Sequence, residues 1–162
     1  MQKYILSVLV QNNAGVLARV ASLFGRRGYN IDSLTVSETN NPGVSYITMT
    51  VTGDESILEQ IIKQACKLEE VYSVHEISEK QALSRELLLI KMGLTEGDRA
   101  ALREITDIYE AKIVDLAPKS MIIELTGTTQ KIDAFLEMMK EHTIIEMCRT
   151  GVTALEKDSA RS

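Results

Sequence analysis

The chain has 162 residues, 44% of them hydrophobic, and its 18 basic and 23 acidic side chains give a net charge of −5. That balance excludes an ordinary nucleic-acid binder, which needs a basic patch to displace phosphate counterions. The close basic pair Arg26-Arg27 reads instead as cations near a helix C-terminus. No apolar run approaches the ~20 residues that cross a bilayer, so no membrane contact is expected. Cys66 and Cys148 lie far apart within apolar patterns and are expected to be buried free thiols. Such thiols suit a reducing, cytoplasmic setting.

In chain order, Tyr4–Val10 is rich in β-branched and aliphatic residues and predicts a strand, not a signal peptide, because polar Gln11-Asn12-Asn13 follows it. Val16, Leu17, Val20, Leu23 and Phe24 share one helix face, and Gly28 stands where a left-handed C-terminal cap wants glycine. Ile31–Val36 predicts a second strand. Asn40-Asn41-Pro42-Gly43 is a turn, and Val44–Thr52 returns as a third strand. Asp54 suits an N-cap ahead of the face formed by Ile57, Leu58, Ile61, Ile62 and Ala65; Val71–Ile77 is the fourth strand. Ser78–Ser84 is polar and aperiodic, and reads as a linker.

The order βαββαβ then restarts. Leu87–Met92 predicts a strand, and Thr95-Glu96-Gly97-Asp98 resembles a capping box. Leu102, Ile105 and Tyr109 mark a helix. Lys112–Ala117 and Met121–Thr126 are strands around Pro118-Lys119, Ile132 to Met139 a helix, and Ile144–Arg149 a strand that Val152–Leu155 is expected to extend. Shifted by 74 residues, Thr52-Gly53 falls on Thr126-Gly127, Leu58 on Ile132, Ile61 on Phe135, Ile62 on Leu136 and Val71 on Ile145. The expected class is α+β: two ferredoxin-like βαββαβ domains in tandem, each an antiparallel sheet with helices on one face. The expected division is 1–77, a linker at 78–84, and 85–162. Domains this small bury little surface alone, so a second copy or partner is expected to cover the open face and edges.

Catalytic chemistry is thin. His75 and His142 have no nearby nucleophile or carboxylate pattern in sequence, and no Cys-x-x-Cys, His-Glu-x-x-His or acidic loop suggests a metal. The informative segment is the first strand-to-helix connection, Gln11 to Leu17. A helix N-terminus offers unpaired N–H groups and partial positive charge, and Gly15 would let an anion approach them. Asn12 suits either a helix cap or a donor to a ligand carboxylate. Asn30 suits either a turn residue or a second polar contact, while Val16 and Leu17 read as core or as a pocket wall.

Asn12 to Phe24, followed by Arg26-Arg27-Gly28-Tyr29-Asn30-Ile31-Asp32-Ser33-Leu34-Thr35-Val36, resembles the start of an ACT domain, and more closely that of the small regulatory subunit of acetolactate (acetohydroxyacid) synthase. Gly127 to Phe135 and Arg149-Thr150-Gly151-Val152 extend the resemblance over essentially the whole chain. Asn12, Asn13 and Ala14 stand where many ACT domains have an aspartate and then Arg-Pro, a departure shared with the synthase subunit. The resemblance implies a chain without catalytic residues or bound cofactor. It implies a homodimer that activates a catalytic large subunit carrying thiamine diphosphate, magnesium and FAD, and that confers feedback inhibition by valine in branched-chain amino acid biosynthesis. Asn12, Gly15, Val16 and Leu17 would hold the valine backbone from one protomer, and Asn30 and Ile31 from the facing one. An aliphatic pocket selects by size, one methylene being worth about 1–3 kcal/mol.

RNA binding on an RRM-like plan is the alternative, but two Phe, five Tyr and no Trp offer few stacking rings. The second half has Gly93-Leu94-Thr95-Glu96-Gly97 at the corresponding junction, where Glu96 is expected to repel a carboxylate. It reads as a dimerisation or partner-contact domain.

Overall fold

Alternation along the first strand sets the layers. In a computed structural model describing residues 2–158, β1 (Gln2–Gln11) buries Tyr4, Leu6, Val8 and Val10 on one face, with Ile5, Ser7 and Leu9 on the other. It is followed by α1 (Val16–Gly25), β2 (Asn30–Glu38), β3 (Val44–Gly53), α2 (Glu55–Ala65) and β4 (Val71–Ile77). The sheet order is β2-β3-β1-β4, with every neighbouring pair antiparallel. Val16, Val20 and Phe24 of α1 and Leu58 and Ile61 of α2 close the core over Leu6, Val8, Ile47, Met49 and Val51. Gly28 adopts the expected left-handed φ of 77°, and the Asp54 carboxylate caps α2 by accepting from the Ser56 N–H (3.0 Å).

The second unit repeats the plan with β5 (Ala82–Gly93), α3 (Asp98–Ile108), β6 (Lys112–Leu116), β7 (Ser120–Gly127), α4 (Thr129–Met139) and β8 (Ile144–Arg149), in the order β6-β7-β5-β8. Its core joins Leu88, Ile90, Met92 and Ile123 to Leu102, Ile132, Phe135 and Met139. The 74-residue shift holds for β3 on β7 and for α2 on α4, whose N-cap Thr128 matches Asp54. It fails at the last strand. The register shift along β1 falls before Val10, which pairs with Val71, and that along β5 before Met92, which pairs with Ile144, so these positions of β4 and β8 lie 73 residues apart. Val71 and Ile145 are therefore not equivalent.

Three expectations are corrected. Residues 78–84 are not all linker, because β5 already begins at Ala82. Val152–Leu155 does not extend β8: that strand ends at Arg149, the backbone turns left-handed at Gly151 (φ 82°), and β9 (Thr153–Glu156) pairs with β5. The compact units are accordingly 2–83 together with 152–158, and 84–151. Val152 and Ala154 pack with Ile77, Ile5 and Ala82 on the face of the first sheet that carries no helix. There the Tyr46 hydroxyl donates to the Ala154 carbonyl (2.8 Å) and the Ala154 N–H to Thr48 Oγ1 (3.4 Å). Finally, Cys66 and Cys148 are free but exposed.

The β9 contact is testable. Ala154 is 3% exposed, so Ala154→Asp buries an unpaired charge and is expected to cost several kcal/mol in urea unfolding. Tyr46→Phe, losing one hydrogen bond, is expected to cost about 1 kcal/mol. Equal, negligible effects would show that β9 adds nothing to the first unit.

Candidate functional site

The first strand-to-helix connection is built from the backbone. The Gln11 N–H donates to the Glu70 carbonyl (2.8 Å) and the Asn12 N–H to the Gly43 carbonyl (3.0 Å). Asn12 Nδ2 donates to the Pro42 carbonyl (3.1 Å), so this side chain ties the loop to the β2–β3 hairpin and does not cap α1. The N-cap is Gly15, at φ 85° and ψ −14°, and no side chain caps the helix. A residue with a Cβ is strained in that left-handed conformation. The Val16 N–H donates to the Asn13 carbonyl (3.4 Å), and the first turn holds no acidic residue to offset the partial positive charge of the helix start.

Val16 is buried in the core, whereas Leu17 is 38% exposed. Asn30 is exposed at the start of β2, and Ile31 packs partly buried against the first core. Asn12, Gly15, Val16 and Leu17 thus gather at one end of the sheet. Asn30 and Ile31 lie at the other. Gln11 pairs with Val44, while Asn30 pairs with Thr52, eight residues further along β3. At roughly 3.3 Å per residue that separation is about 26 Å. One chain does not bring the two groups together.

Arg19 is a candidate that periodicity passes over. Its Nη1 lies 3.1 Å from where a Cβ on Gly15 would stand, and its Nη2 donates to Glu70 Oε1 (2.5 Å). A guanidinium is therefore held beside the helix start. The sequence signal was its i+4 spacing from Gly15, one helical turn on.

The second unit has a similar junction, with a carboxylate in the first turn of its helix. Gly97 caps α3 at φ 89° and ψ −13°. Gly93 donates to Thr143, Leu94 to Lys119 and Asp98 to Thr95 (2.8, 2.9 and 3.1 Å), matching the bonds of Gln11, Asn12 and Val16 in the first unit. Where the first unit has Val16, this one has Asp98. Its Oδ2 accepts from the Thr95 N–H (2.7 Å) and from the Thr95 hydroxyl, and its Oδ1 contacts His142 Nδ1 (2.8 Å). Asp98 thus places a carboxylate in the first turn of α3. Hydrogen bonds from Thr95 and then from His142 hold the Asp98 carboxyl down at about 2.

A carboxyl lowered on folding stabilises the native state above its unfolded value near 3.8, and that contribution fades as pH falls towards about 2. Asp98→Asn is therefore expected to flatten the acid limb of stability in this window, as read by urea midpoints at successive pH values. An unchanged slope would contradict it.

Both histidines meet carboxylates from distant segments, His75 with Glu156 (2.6 Å) and His142 with Asp98. At His142 the neighbouring Thr95 hydroxyl donates to the Asp98 carboxylate and not to the imidazole, which is not the arrangement of a nucleophile and its base. Among the described residues, no group of three or more His, Cys, Asp or Glu is placed to hold a metal, and no helix is long and apolar enough to cross a membrane. Tyr46, the one aromatic on the helix-free face of β1 and β3, lies against β9, and β5 and β7 place no aromatic on theirs. Among the described residues, these four strands present no stacking platform of the kind used in RNA recognition.

Residues 6–73 match the family model of the small-subunit-like ACT domain of acetohydroxyacid synthase, and residues 85–158 match the small subunit of acetolactate synthase. The chain is 42% identical to the acetolactate synthase small subunit of Haemophilus influenzae, over 94% of each chain. Identity is 41% to the isozyme 3 small subunit of Escherichia coli, again over 94% of each. The crystal structure of the acetolactate synthase small subunit from Thermotoga maritima superposes with a TM-score of 0.90 at 38% identity, covering 97% of this chain and 98% of that one. With its ACT-type first unit and the matching second unit, the chain belongs to the family of acetolactate synthase small subunits.

Proposed function

We propose that the chain is a non-catalytic, cytoplasmic regulatory subunit that activates the catalytic large subunit of acetolactate synthase and confers feedback inhibition by valine. The observation that carries the effector site is the separation of its two halves along one sheet. β2 is the end strand of its sheet, with β3 as its one strand neighbour there. If β2 pairs antiparallel with its copy about a two-fold axis, each chain's Asn30 end meets the other's Glu38 end. Glu38 pairs with Ser45 of β3, next to Val44 and the hairpin that holds Asn12. Asn12, Gly15, Val16 and Leu17 of one protomer then face Asn30 and Ile31 of the other. Helix N–H groups and Arg19 suit a carboxylate, amide oxygens suit an ammonium, and exposed Leu17 and Val36 offer an aliphatic wall.

In this reading the second unit, whose helix α3 carries Asp98 in its first turn, serves dimer or partner contacts. Thiamine diphosphate, magnesium and FAD reside in the catalytic subunit. Valine acts by linkage: bound at the seam, it favours one arrangement of the dimer that the large subunit senses. Reconstitution tests this. Adding the chain to its large subunit is expected to raise acetolactate formation from pyruvate, and adding valine to lower it again. An activity indifferent to the chain would overturn the proposal.

A further inference from the structure

Next to Asn30 stands a carboxylate whose setting points to a specific task. Asp32 sits at the irregularity of β2, between Ile31 paired with Val51 and Ser33 paired with Thr50, so it is out of the β2–β3 ladder. Its Oδ1 accepts from Asn30 Nδ2 (2.6 Å) and its Oδ2 from the Thr52 hydroxyl (2.6 Å). A carboxylate only accepts, so this contact fixes which way the Asn30 amide faces: the NH2 is turned to Asp32, leaving Oδ1 as the free acceptor. The Asp32 charge is exposed, and among the described residues no Lys, Arg or His forms an ion pair with it. A fixed acceptor oxygen beside an uncompensated negative charge is a cation-recognising arrangement.

We propose that Asp32 is the positioning and specificity-determining residue for the effector's ammonium group, making the site selective for an α-amino acid over the 2-ketoacid of the same carbon skeleton. The inference rests on the effector site described above, in which Asn30 faces the ligand. An amino acid and its ketoacid share the carboxylate and the aliphatic chain, so the helix start and the apolar wall cannot tell them apart. Only the group at the second carbon differs. A carbonyl there is an acceptor and meets Asn30 Oδ1 and the Asp32 charge unfavourably, whereas an ammonium donates to the first and is attracted by the second. The class discriminated against is that of the synthase's own reactants, the 2-ketoacids.

The test is calorimetric titration of the full chain with valine and with 2-oxoisovalerate, for the wild type, Asp32→Asn and Asp32→Glu. Asp32→Asn is expected to weaken valine tenfold or more while leaving the ketoacid unchanged or tighter, and Asp32→Glu, which keeps the charge, to recover part of the loss. Unchanged valine affinity would overturn the assignment. So would an equal loss of both ligands, or equal behaviour of the Asn and Glu variants, since either marks a structural role. Thermal midpoints of the variants separate a folding defect from a binding one. Wild-type protein that binds no valine would overturn the underlying site reading, a result distinct from loss of discrimination alone.

Discussion

Gly15→Asp is expected to lower valine affinity by about 100-fold or more while leaving activation of the large subunit intact. The new carboxylate would stand at the helix start, where the effector's own carboxylate is to bind, and within reach of Arg19, whose Nη1 is 3.1 Å from the Cβ position. It competes for the N–H groups, captures the guanidinium and repels the ligand. Loss of two charge-assisted hydrogen bonds at ~1.5–3 kcal/mol each is enough for that fall. The left-handed backbone adds roughly 1–2 kcal/mol of strain, so the fold persists. Titration of valine into the variant checks it: wild-type affinity would show that Gly15 is only a turn residue.

The second large effect is on stability. Glu86 is 4% exposed, and Arg149 binds it with two hydrogen bonds, Nε to Oε1 (3.1 Å) and Nη2 to Oε2 (2.8 Å), while its Nη1 reaches Asp133 (2.9 Å). Burial works against the guanidinium charge, but Glu86 and Asp133 outweigh it and raise the Arg149 pKa. Arg149→Met strands a buried carboxylate and is expected to cost ~3–5 kcal/mol in denaturant unfolding. Removing both charges, in Glu86→Leu with Arg149→Met, is expected to restore most of that loss. A double variant as unstable as the single one would contradict this.

Much of the fold was legible because the pattern is locally consistent. The apolar run Tyr4–Val10 marks a strand, though with Ile5 and Leu9 apolar too it does not name the inner face, whereas the Val16, Val20, Phe24 face names buried residues directly. The repeat was legible where loop lengths agree and was lost at β4 and β8, where they differ. The cysteines misled for a physical reason. Cys66 follows the last buried position of α2, Ala65, and Cys148 sits on an edge strand with apolar residues at both parities, so periodicity assigns no inner face. β9 was illegible because Val152–Leu155 looks like any short apolar strand, and its partners, Tyr46 and Thr48, are about a hundred residues away.

The candidate site was legible as residues but not as geometry. Asn12, Gly15, Asn30 and Ile31 are placed by motif, yet only strand register shows that they occupy opposite ends of one sheet. Arg19, Asp32 and Asp98 carry charges that an ordinary solvated surface would explain equally well. Their contacts are hydrogen bonds that the sequence does not display.

The most direct test of effector sensing is a thermal-shift screen of the intact chain against the twenty amino acids, because a ligand that binds only the folded state raises its melting temperature. The expected result is a concentration-dependent rise with valine, smaller rises with leucine and isoleucine, and none with charged or aromatic amino acids. A flat response to all twenty, or a largest shift from a charged or aromatic one, would contradict it.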